Sequence, residues 1–175
     1  LASVIARGNR VYVTGGGAAT EGPLRYDANQ HSFVWVIDPA TDLEIPGETI
    51  SLNAAARGES PQGYHFNTPW SLALAPGRST GYVLCGGSDL AVKIDLSAQG
   101  APTVPTSPSI VRVSTGKNPR AILFDKAGSV AFIHNYISRT VTVVNAFSHA
   151  VLSTAQSVDL PTSALSLSIL RGEEL

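Results

Sequence analysis

Along this chain hydrophobic residues alternate with polar ones far more often than they recur at helical spacing. In "TVTVVN" (140–145) an extended backbone puts Val141 and Val143 on one side and Thr140 and Thr142 on the other. "SLALA" (71–75) and "AILFD" (121–125) carry similar alternating runs, and the runs are rich in Val, Ile, Tyr and Phe. Between them stand glycine-bearing turn signals, "PGRSTG" (76–81) and "KAGS" (126–129), of the kind that close short hairpins. The pattern predicts strand, tight turn, strand, turn, strand.

That unit is written more than once. "TPWSLALAPGRSTGYVLCGGSDLAVKID" (68–95) aligns without a gap to "NPRAILFDKAGSVAFIHNYISRTVTVVN" (118–145), fifty residues on. Pro69 meets Pro119, Tyr82 meets Phe132, Val92 meets Thr142, Ile94 meets Val144 and Asp95 meets Asn145. A fourth strand is expected after each, in "SIVRVST" (109–115) and in part of "LSTAQSVDL" (152–160). A more diverged copy opens the chain. There "NRVYVTGGG" (9–17) corresponds to the second strand, "SFVWVIDPATD" (32–42) to the third and "GETISLN" (47–53) to the fourth. Its second and third strands are separated by a swollen loop (16–31), and an insertion (54–66) precedes the next copy.

Four-stranded units at a period near fifty residues are the pattern of propeller blades. One such sheet cannot bury both faces, so neighbours must stack. The expected fold is all-β: a partial β-propeller of about three four-stranded antiparallel blades, at about 1–53, 67–115 and 118–160. Residues 161–175 read as a linker or as the start of a following blade or module. A β-sandwich would not repeat its strands as a block. Closed propellers use about four to eight blades. The remaining blades are therefore expected on further sequence or on another chain, which would also cover the exposed blade edges.

Composition narrows the picture. The chain has 175 residues, 43% hydrophobic and 14% charged, enough for one domain with a real core. A formal net charge of −1 argues against a nucleic-acid partner. No apolar run approaches the roughly 18 residues of a membrane-spanning helix. The single cysteine, Cys85, excludes an intrachain disulfide, a multi-cysteine zinc site and a C-x-x-C-H haem attachment, and leaves the redox compartment open. Methionine is absent, the first position included, so the sequence reads as an internal piece or a processed product.

The chemistry-bearing residues are few. Tyr64, His65, Phe66 and Trp70 bunch in "SPQGYHFNTPW" (60–70), the best ligand-contacting segment, although Phe66 and Trp70 also suit a plug between blades. His31 and His65 lie in the two first-copy insertions and so can converge; solvent-facing or hydrogen-bonded histidines are the ordinary reading of His31, His65, His134 and His149. In "RYDANQH" Asp27, Asn29 and His31 alternate like the start of a calcium loop, without its glycine or closing glutamate, and an Asx-type turn fits better. "GGG" (15–17) lacks the rest of any phosphate-loop motif and reads as loop flexibility. Cys85 reads as an inert core thiol. Asp38 and Asp95, recurring at third-strand ends, read as caps of the following turn. No nucleophile motif such as G-x-S-x-G occurs, and the segment carries no catalytic or metal constellation.

At "RVYVTGGG", "FVWVIDPATD" and 118–145 the sequence resembles the bacterial and archaeal YVTN-type β-propeller repeats. Val11 to Thr14 carry the Y-V-T motif, 132–135 a degenerate copy, and 138–145 the S-x-T-V-S-V-I-D strand. The resemblance covers about 150 residues and departs at the D-G turn, at Asn145 and in the first-copy insertions. It implies a scaffold or binding module, periplasmic or extracellular, without catalysis of its own. The tail "ILRGEEL" (169–175) is similar to the junction at which some propellers pass into a cytochrome-c-like or di-haem peroxidase-like module. That likeness implies an alternative: the propeller portion of a haem-containing redox protein, with haem c and a cytochrome partner beyond Leu175.

Overall fold

The computed structural model describes residues 3–18, 30–56 and 65–158. The alternation becomes three antiparallel sheets. The first holds β1 (Ser3–Arg7), β2 (Arg10–Ala18), β3 (Gln30–Asp38), β4 (Leu43–Glu44) and β5 (Ile50–Ser51), in the order β1-β2-β3-β4, with β5 also on β3. A single helical turn, α1 (Leu52–Ala55), follows. The second holds β6 (Pro69–Leu74), β7 (Thr80–Cys85), β8 (Leu90–Leu96), β9 (Pro102–Thr103) and β10 (Arg112–Ser114), with both β9 and β10 on β8. The third runs β11 (Pro119–Phe124), β12 (Val130–Asn135), β13 (Thr140–Asn145) and β14 (Val151–Gln156) in order.

The fifty-residue repeat holds in three dimensions. β6, β7 and β8 begin fifty residues before β11, β12 and β13. Each first strand carries a bulge at the same point, between Pro69 and Ser71 and between Pro119 and Ala121. Gly86 donates to the Thr68 carbonyl as Tyr136 does to that of Asn118, both at 2.9 Å. The Ser88 hydroxyl accepts from the Asn67 amide, and Ser138 accepts from Lys117 in the same way. This serine therefore joins the backbone bonds in tying the turn between the second and third strands to the entry of the first.

Successive first strands pack side by side, β1 on β6 and β6 on β11, and the blades meet face to face. This is a partial β-propeller of three blades. The middle blade is buried on both sides. Along β7, Val83 and Cys85 point into the first joint, with Tyr12, Val34, Leu52 and Phe66; Tyr82 and Leu84 point into the second, with Ala131, Ile133 and Val144. Each fully buried large side chain contributes about 1.5–3 kcal/mol. Arginines stitch the joints at their edges. Arg7 donates to the Ala75 carbonyl at 3.3 Å, and Arg78 to those of Gly128 and Ala146 at 3.2 Å while covering the Phe147 ring. Tyr12 donates across the first joint to Gly100 O at 2.7 Å.

The structure differs from the sequence reading in three places. The fourth strands of the first two blades are each split into two short pieces. In the first, Ser51 ends the pairing and caps α1 through its hydroxyl, so 52–53 are helical rather than extended. Gly15–Gly17 are not loop: they pair in β2 opposite Phe33, Ser32 and His31. The inter-strand insertion thus shrinks to 19–29.

Candidate functional site

Antiparallel pairing brings the end of β2, the start of β3 and the start of β6 to one end of the propeller. The described feet of both first-copy insertions therefore meet at this end. Between them lies an open cleft of about 370 Å3. Gly15–Ala18, His31 and Ser32 line it from the first blade, Asn67–Trp70 from the second. Gly17 lies against the Phe33 ring: a Cβ on it would stand 2.8 Å from that ring, which would have to swing aside. The two walls are tied by Ser32, whose buried hydroxyl donates to the Phe66 carbonyl at 2.6 Å. The Ser88 hydroxyl donates to His65 O at 2.5 Å and holds the far wall to its own blade.

Trp70 occupies the β6 bulge and is 39% exposed. A bulge re-aims its side chain out of the sheet alternation. Arg120 sits at the same bulge one blade on, and its guanidinium lies over the Trp70 ring at 4.7 Å and over Tyr136 at 4.2 Å. Its Nε donates to Asn118 Oδ1 at 2.6 Å. Asn118 is itself fixed, its amide donating to Asp89 Oδ1 at 2.7 Å. The Asp89 carboxylate also pairs with Lys117 at 3.1 Å.

Of the expected site residues, the structure brings His31 and Trp70 together on the cleft. Phe66 is withdrawn from it: 1% exposed, it belongs to the first inter-blade core, with Arg112 over its ring at 5.1 Å. The bulge explains the split: it re-aims Trp70 out of the sheet, while Phe66, ahead of the strand, points into the joint that Leu52 and Leu72 also fill. His65 stands at the edge, holding the Ser88 hydroxyl through its carbonyl. Asp27, Asn29 and Tyr64, and the tail 161–175, lie outside the described residues. Arg120 and Tyr136 are the residues that the sequence reading missed.

Elsewhere, Cys85 is fully buried, and burial pushes its thiol pKa far up, so it packs as an inert apolar group. Asp38 caps its turn by accepting from Ala40 N, and Asn145 does the same for Phe147 and Ser148. Asp95 departs from this pattern and pairs with Lys93 at 2.6 Å. His149 lies at the opposite end of the blades from the cleft, its Nδ1 2.7 Å from the Tyr82 hydroxyl. Burial, and then Lys93, lower the His149 pKa, while burial raises that of Tyr82 to about 12. Among the described residues no group of three or more His, Cys, Asp or Glu is placed to hold a metal ion, and no helix is long and apolar enough to cross a membrane.

No family model and no curated protein matches the sequence. Solved structures do. Hydrazine synthase from Kuenenia stuttgartiensis superposes with a TM-score of 0.62 at 18% identity, over 82% of this chain and 44% of that one. A putative 6-phosphogluconolactonase from Bacteroides uniformis gives 0.57 at 14%, over 93% and 43%. The β-propeller domain of the trilobed protease from Pyrococcus furiosus gives 0.50 at 9%, over 87% and 41%. At these identities the likeness is one of fold, and that fold is the β-propeller. The chain spans about two fifths of the length of these structures.

Proposed function

We propose that the chain is a ligand-binding segment of a β-propeller of the YVTN-type repeat class, exported, with further blades completing its ring. The observation that carries the binding role is the cleft. The described feet of the two irregular insertions of an otherwise regular repeat stand side by side and form a hollow walled by His31, Ser32 and Trp70. Regular hairpins supply rigidity and the departures from the repeat supply the site, the usual division of labour between scaffold and loops. The Ser32 hydroxyl in the cleft wall is committed to the Phe66 carbonyl at 2.6 Å, which fits a binding role. Further blades are supported by three blades covering only 41% of a propeller-domain chain.

Native mass spectrometry of the intact protein purified from its own host, with thermal-shift screening of small molecules, tests this reading. A bound mass or a stabilising compound is expected, and Trp70→Ala and His31→Ala should each remove it without changing the far-ultraviolet circular dichroism. Absence of any ligand in both assays, or binding indifferent to both substitutions, refutes it.

The tail at 169–175 supports a second reading, with a haem module following the propeller. A Soret band in the visible spectrum of the intact protein is its expected mark, and a featureless spectrum overturns it.

A further inference from the structure

We propose that Arg120, clamped between Trp70 and Tyr136, is an oxyanion anchor: it takes the carboxylate or phosphate group of a small organic acid whose apolar part lies along Trp70 in the cleft. The inference rests on the cleft being a binding site and adds the class of ligand. Four observations carry it.

The first is charge. Arg120 has no acidic partner among the described residues, whereas Arg10 pairs with Glu48, Lys93 with Asp95 and Lys117 with Asp89. The nearby Asp89 carboxylate is already engaged, by Lys117 Nζ and by the Asn118 amide.

The second is geometry. A guanidinium stacked on rings offers its hydrogen bonds only at its edge, in its own plane. Nε is used by Asn118 Oδ1. Among the described residues nothing takes the two Nη groups, and together they form the fork that grips two oxygens of one carboxylate or phosphate.

The third is preorganisation. The rings at 4.7 and 4.2 Å, with the chain from Asp89 through the Asn118 amide to Asn118 Oδ1, hold the side chain in one pose before any ligand arrives. Much of the rotamer entropy that a free arginine loses on binding is thereby already lost.

The fourth is position. Trp70 is shared: it is both a wall of the cleft and one plate of the clamp. It is 39% and Tyr136 48% exposed, so both rings offer apolar surface beside the charge. The fifty-residue repeat sharpens the point. Trp70 and Arg120 are equivalent bulge residues of adjacent blades, and Tyr136 takes the place of Gly86. At these equivalent places a tryptophan in one copy answers an arginine in the next, and a glycine answers a tyrosine.

The test is isothermal titration calorimetry on the intact protein with benzoate and phenyl phosphate as probes and benzyl alcohol as the neutral control. At least one acid is expected to bind in the range of about 10 μM to 1 mM. Benzyl alcohol should bind at least tenfold more weakly, and affinity for the acid should fall as salt rises. Whichever acid binds tighter identifies the group. Arg120→Gln should cost tenfold or more, and Arg120→Lys, which keeps charge but loses the fork, should fall between that and wild type. If benzyl alcohol matches the acids in wild type, or Arg120→Gln binds them unchanged while Trp70→Ala does not, the anchor is wrong and the cleft stands. If neither acid binds up to about 10 mM, or neither substitution matters, the anchor is overturned whatever the screen of the cleft returns.

Discussion

Phe66 and Trp70 stand four residues apart in one aromatic segment and have opposite environments. Phe66 fills the joint between the first two blades, so Phe66→Ala should lower unfolding free energy by about 3–5 kcal/mol in urea titrations. Trp70, more than a third exposed, should lose only about 1 kcal/mol as Ala while ligand capture disappears. A large stability loss at Trp70 with ligand capture retained would reverse these roles. His149 gives the pH response. Its ring is kept neutral chiefly by burial, with Lys93 and Arg78 adding to the effect, and its pKa lies below the ordinary 6.5. Unfolding releases it to take a proton. The stability it contributes is thus fully present above about pH 6.5 and is lost as pH falls through the lower folded value. Tm should drop between about pH 7.5 and pH 5, and part of that drop should vanish in His149→Asn, a residue that tolerates the left-handed backbone there without titrating. An unchanged pH profile in that variant would remove His149 from the account.

At the scale of elements, two glycines that look alike in sequence should behave differently. Gly77 and Gly128 both sit in first-hairpin turns with φ of 66° and 65°. Around Gly77 a Cβ would meet nothing within 4 Å, whereas at Gly128 it would lie 2.6 Å from the Pro76 carbonyl of the neighbouring blade. Gly77→Ala should therefore cost about 1–2 kcal/mol, the left-handed penalty alone. Gly128→Ala should cost about 2–5 kcal/mol, with blade separation added. Equal urea midpoints for the two variants would mean that the joint is looser than drawn. The first three strands of the second and third blades were legible because alternation, turn glycines and an ungapped match agree there. The split fourth strands were not, since a two-residue strand such as β4 or β9 has no period to read. His31 and Trp70 were legible because they flank insertions. Arg120 and Tyr136 were hidden inside a regular copy, and the available signal was the exchange of residue type at equivalent places, Trp70 for Arg120 and Gly86 for Tyr136. Gly15–Gly17 misled because glycine triplets favour loops, while here they pair in β2 and Gly17 lies against the Phe33 ring.

For the whole molecule, the decisive contrast is between the middle blade and its neighbours. β7 is buried on both faces, but the first and third blades each show one apolar face with nothing described against it. Cross-strand register places Val4, Val13 and Trp35 in one row of the first blade, beside Val11 and Ile37. In the third blade Leu123, Phe132 and Val143 form a row beside His134 and Val141. Val4 is 60% and Leu123 59% exposed, although both lie in β-strands whose opposite faces are packed. This also explains the third strand of the last blade, where Thr142 faces the joint, buried with Asn135 donating to it at 2.9 Å, while Val141 and Val143 face away. Valines turned outward from a packed sheet make sense if another blade lies against them. Leu123→Asp and Phe132→Asp test that arrangement. If further blades cover this face in the intact protein, each substitution buries a carboxylate and should destabilise by about 2–4 kcal/mol. In a recombinant piece ending at residue 158 the same changes should be close to neutral for stability and should reduce self-association, since the face is then open to water. Neutrality in the intact protein would mean that this face is solvent-exposed there as well, and that the ring does not continue past β14.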